Sequence, residues 1–232
     1  MAEENKFCSP DQDSYPKWTV FDAMAWKVTP NIPQLGLDGG RARILEYKRA
    51  WIVHNRLRIM GAAETNHIPA DLLGCVIFNE VGGDPPWFKR NVVLAARQNL
   101  FWTKPPQLTS EGAIKIQLRA ALSAIGYDGP PLTHSEQDQL TRCLETDIFN
   151  IGVVATFLRK MILYDYPGVD TRTLTDEQFA IAGSRYNRGT ERKLSDFVQS
   201  LKDAPGNPNR AYTEYGRAML SHRQEVRSLL MQ

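Results

Sequence analysis

At 232 residues with 42% hydrophobic side chains, the chain is long enough to bury its own core, and 28 Lys and Arg against 26 Asp and Glu leave a formal charge of only +2. That balance excludes a dedicated phosphate-backbone binder, so no nucleic-acid partner is expected. The longest apolar run, Leu72 to Val81, is broken by Asn79 and Glu80 and falls short of the ~20 residues that span a bilayer, so a soluble protein without membrane insertion is expected.

The N-terminus, Met1 to Lys6, is polar and acidic, without the basic and apolar regions of a secretory signal, which predicts synthesis in the cytoplasm without a signal peptide. Residues 1–40 carry Pro10, Pro16, Pro30 and Pro33 among Trp18, Phe21 and Trp26, and predict an irregular N-terminal extension with room for a short strand. From residue 41 the pattern turns helical. Ile44 and Trp51 recur one heptad apart beside Leu45, Ile52 and Ile59, giving a long helix from Arg41 to Glu64. A second begins at Pro69 and stops at Gly82-Gly83. Further helices are predicted at Val92–Leu100, Ala113–Ile125, Glu136–Leu144, Ile148–Leu163, Asp176–Tyr186, Leu194–Leu201 and Tyr212–Leu230. The Pro-rich breaks at 84–86, 105–106 and 129–131 are short enough to be loops, so residues 41–232 read as one compact, mainly helical, all-α domain.

Three cysteines, Cys8, Cys75 and Cys143, have neither metal-ligand spacing nor an even number. They predict reduced, buried thiols, with a Cys75–Cys143 bridge as the alternative. His54, His67, His134 and His222 show no metal spacing, and neither a phosphate loop nor a nucleophile elbow is present, so no metal and no cofactor are implied.

On the second helix, Leu72, Leu73, Val76 and Ile77 form one stripe, and the next position on it is Glu80. A carboxylate therefore stands where an apolar residue is expected, close to the negative end of the helix dipole. Partial desolvation and the dipole both disfavour its charge, which is the tuning that a general acid working near neutral pH requires. A solvent-facing or Arg-paired structural carboxylate is the alternative.

The segment from His67 to Glu80 resembles the helix of lytic transglycosylases and goose-type lysozymes, in which an Ile/Val-Pro start and apolar residues precede the catalytic Glu. Three more segments follow in that family's order: Ser110-Glu111-Gly112-Ala113, Asp147 to Leu158, and Ala180 to Gly189, the last similar to an Ala-x-Tyr-Asn-x-Gly signature. The resemblance implies a lysozyme-like, mainly helical α+β fold, Glu80 as catalytic acid, and Ser110, Gly112, Tyr186 and Asn187 as substrate-binding residues. The segment from Asp147 contributes only core positions, Ile151, Val154, Phe157 and Leu158. Val81 and Lys115 stand where the family commonly has Ser and Gly.

The activity implied is cleavage of peptidoglycan glycan strands. Glu80 protonates the bridging oxygen, and an anhydro ring then closes, or a muramidase admits water with help from a second carboxylate, for which Asp84 and Glu111 are the candidates. Trp87, Phe88, Phe101 and Trp102 are candidate sugar-stacking aromatics. The resemblance also brings to mind secreted antibacterial toxins of the type VI route, which implies action in the periplasm or cell wall after non-classical export, with secretion machinery and an immunity protein as partners; release through a phage-like lysis pathway is the other export route. Two alternatives differ in class or substrate: a non-catalytic binding or adaptor protein that keeps the fold, and a chitinase- or chitosanase-like glycosidase.

Overall fold

The computed structural model describes residues 5–9, 14–19, 22, 31–32, 37–82 and 110–232. It is mainly helical. The elements are β1 (Asn31–Ile32), β2 (Leu37–Asp38), α1 (Arg41–Thr65), α2 (Ala70–Glu80), β3 (Ser110–Glu111), β4 (Ile116–Gln117), α3 (Leu118–Ala124), α4 (His134–Leu144), α5 (Asp147–Asp165), α6 (Asp176–Arg188), α7 (Leu194–Lys202), a 3-10 turn (Pro208–Thr213) and α8 (Glu214–Leu230). Two antiparallel pairs, β1 with β2 and β3 with β4, are the strands among the described residues.

Helix α2 is apolar all round, with Leu72, Leu73, Cys75, Val76, Ile77 and Phe78 buried, and so it takes the centre. Helices α1 and α8 pack against it, α8 also meets α6, and α5 touches α1, α3, α4 and α6. The stripe foreseen on α1 is buried at Trp51, Ile52 and Ile59. Near its start, α2 holds one buried charge: Asp71 accepts from Arg223 and Arg227 of α8, each at 2.7 Å, which ties the two helices together. At Gly216 a Cβ would lie 2.6 Å from the Ala180 carbonyl carbon, so only glycine lets α8 approach α6 this closely. That crossing brings Tyr215 of α8 beside Tyr186 of α6, ring centroids 6.3 Å apart.

Capping follows ordinary chemistry. Thr133 and Thr175 each form a capping box, with Glu136 and Gln178, and start α4 and α6. Most helix ends shift by one or two residues from the sequence expectation, and three boundaries differ in kind. Pro69 is the N-cap of α2 rather than its first residue. A 3-10 turn occupies residues 208–213, so α8 begins at Glu214. The helix expected over Ala113–Ile125 begins only at Leu118, because residues 110–117 form the β3–β4 hairpin. The helix expected at Val92–Leu100 lies outside the described residues, as do Asp84, Trp87, Phe88, Phe101 and Trp102.

The cysteines also differ from expectation. Cys8 and Cys143 form a disulfide, and Cys75 is the buried free thiol, pushed up to about 12 by burial. The bridge clips the N-terminal segment onto α4. Around it, the Asn5 amide donates to the Gln139 carbonyl at 3.0 Å. Farther along, the Tyr15 backbone N–H donates to the buried Asp147 carboxylate at 2.7 Å, and Asn55 of α1 donates to the same oxygen at 2.8 Å. Asp147, at the head of α5, thus joins the N-terminal segment to α1.

Candidate active site

An open cleft of about 500 Å³ runs beside the end of α2. Glu80, the last residue of that helix, is partly buried at its wall. Ser110 and Gln117 come to the cleft from the hairpin, Phe157 from α5, and Tyr186 and Asn187 from the end of α6. Four residues singled out in the sequence, Glu80, Ser110, Tyr186 and Asn187, therefore line one space.

The hairpin is held by a residue far along the chain. Asn150 of α5 is fully buried; its Oδ1 accepts the Ile114 N–H at 2.8 Å and its Nδ2 donates to the Ile114 carbonyl at 3.2 Å. Such double pairing satisfies both backbone groups of a buried residue. Gly112 turns the chain there with φ +80°, and a Cβ would lie 2.6 Å from Asn150 Oδ1. Gly112 is thus a shaping residue, set behind the cleft wall rather than on it. Glu111, a candidate second carboxylate, is 3% exposed and also absent from the cleft wall, because the hairpin turns it inward. The segment from Asp147 to Leu158 does more than fill the core: it supplies Asn150, and its Phe157 reaches the cleft, as does Met161 one turn on.

Around Glu80 the surroundings are more polar than the stripe on α2 suggested. Lys48 of α1 donates to the carbonyls of Phe78, at 2.6 Å, and Asn79, at 3.0 Å, so it caps the helix end electrostatically. Burial pulls the Lys48 ammonium down to about 8, while the Glu80 charge supports it and Lys115 opposes it. Tyr186 rests edge-on against Phe157 and donates to the Lys115 carbonyl at 3.4 Å. Its phenol is raised well above 10 by burial and then by the charge of Glu80. The Tyr215 hydroxyl is buried beside Glu80, and burial, then the charges of Glu80 and Tyr186, raise it in the same way. Glu80 accordingly has the Tyr186 and Tyr215 phenols and the Lys48 ammonium around it.

The far wall was not foreseen. Arg188, Gly189, Thr190 and Glu191 follow the Tyr-Asn pair around the left-handed Gly189, φ +73°. Arg185 fixes this turn from inside: fully buried, it pairs twice with Asp165 at 2.7 Å and donates to the carbonyls of Gly189 and Arg192 at 3.2 and 2.7 Å. Among the described residues, Glu80 and Glu191 are the carboxylates on the cleft wall, and no group of three or more His, Cys, Asp or Glu is placed to hold a metal ion.

A partly buried carboxylate at an open groove, backed by neutral hydroxyls, can pass a proton to a bound polymer and take it back. In comparison with known proteins, no family model, no curated protein and no solved structure matches the chain.

Proposed function

We propose that the chain is a glycosidase that cuts the glycan strands of peptidoglycan, with Glu80 as its acid. The observation that carries this is the meeting of Glu80, Ser110, Tyr186 and Asn187, from three separate parts of the sequence, along one open cleft. A strand lying there would present its bridging oxygen to Glu80, which protonates it as the bond to the anomeric carbon breaks. The resulting carboxylate then faces an oxocarbenium-like centre. It can take the proton of the sugar's own hydroxyl as an anhydro ring closes, which requires no second carboxylate. With water as nucleophile instead, Glu191 is, among the described residues, the second acid on the cleft wall that could position it.

Action in the periplasm or cell wall agrees with the Cys8–Cys143 bridge, since disulfides persist in oxidising compartments. In this reading the protein is an antibacterial effector delivered by a secretion machine, and an immunity protein would protect the producer by filling the cleft. Purified sacculi incubated with the wild type and with Glu80→Gln test the activity: soluble muropeptides from the wild type alone support it. Binding to sacculi with no release by either form would make the chain a binding or adaptor protein.

A further inference from the structure

Among the described residues, three cationic side chains line the cleft: Lys115, Arg119 and Arg188. Arg119 stands in the first turn of α3 and Arg188 ends α6, so they reach the cleft from separate elements. Both are exposed, and neither forms an ion pair with an acid among the described residues. Their partners are neutral. The Arg119 Nε donates to the Gln117 amide oxygen at 2.9 Å, and Arg188 Nη2 donates to the Ala211 carbonyl at 2.8 Å. Arg188 also lies over the Tyr212 ring, 5.9 Å from its centroid. These contacts orient each guanidinium while leaving most of its N–H groups unused.

We propose that Arg119 and Arg188 select strands bearing acidic substituents, so that the cleft takes glycan with its carboxylate-carrying peptide stems in preference to the bare polymer. This rests on the glycosidase reading and names the substrate class of the same site. A planar guanidinium matches a carboxylate in two parallel bonds, whereas a neutral sugar chain offers it only hydroxyls. A de-acetylated, polycationic glycan would be repelled by the same two residues, which separates this site from one built for chitosan.

The inactive Glu80→Gln protein, titrated calorimetrically with soluble glycan fragments that carry or lack peptide stems, provides the test. It should bind the stem-bearing fragments about tenfold more tightly, and the preference should shrink with added salt and in the Arg119→Gln/Arg188→Gln background. Equal affinity for the two fragments, binding of neither, or a preference that survives both arginine substitutions would overturn the inference. The glycosidase reading fails separately, when wild type and Glu80→Gln release equal muropeptide from sacculi. Circular dichroism on the double variant, whose substitutions are exposed, checks that the fold is kept.

Discussion

The Lys48 ammonium and the Asn79 carbonyl meet at 3.0 Å, so a cation on α1 caps the helix whose final residue is Glu80. This contact offsets the partial negative charge that the end of α2 would otherwise press on the carboxylate.

The pH dependence of stability follows from the burial of Lys48. Lys48 titrates near 8 in the folded protein against 10.5 ordinarily, so between these values the unfolded chain binds the extra proton. The Lys48 contribution to stability is therefore lowest below pH 8 and grows as pH rises toward 10.5, by at most about 3 kcal/mol. Urea unfolding of wild type and Lys48→Met at pH 7 and pH 10 reads this directly. The wild type should gain on the variant between the two pH values; a constant difference would show that Lys48 is not held down.

Asn150 carries the hairpin. Asn150→Ala leaves the Ile114 N–H and carbonyl without their partner, at a cost of about 1–3 kcal/mol for each buried group. Gly112→Ala meets the same wall from the other side, with an unfavourable φ as well as a close contact. Denaturant midpoints should fall for both variants, and hydrogen exchange should quicken first at residues 110–117. Unchanged exchange there would mean that the hairpin has another anchor.

Arg185 and Asp165 form a fully desolvated pair, and removing one partner strands a buried charge. Asp165→Asn should cost about 3–5 kcal/mol. The same variant should loosen the turn at residues 189–192, since Arg185 also holds the carbonyls of Gly189 and Arg192. Proteolysis within that turn measures the loosening, and a turn as resistant as in the wild type would speak against it.

Thiol counting tests the cross-link. With Cys8 and Cys143 bridged and Cys75 buried, a thiol reagent should find none of the three cysteines in the native protein, one after denaturation, and all three after reduction as well. Reduction should also lower stability, by roughly 2–5 kcal/mol for removal of a native disulfide. Three thiols in the denatured, unreduced protein would contradict the bridge.

The parts of the site that local pattern dictates were legible beforehand. The stripe from Leu72 to Ile77 projects onto Glu80 because helical spacing is local, and the Tyr186-Asn187 ending is fixed by Gly189 two residues on. Contacts across the chain were not legible. The run Ala113 to Gln117 has helix-compatible spacing, but Asn150, 36 residues away from Ile114, pins it as a hairpin. Lys48 belongs to a different helix from the residues it caps, and the turn of Glu191 depends on the buried Arg185. Nor does spacing decide which of three cysteines pair.

The measurement closest to the central claim is mass analysis of the glycan ends formed when sacculi are digested by the wild type and by Glu80→Gln. New ends, anhydro or reducing, should appear with the wild type and be lost with the variant. Identical ends in equal yield from both proteins would show that Glu80 is not the acid, and that the cleft beside it does different work.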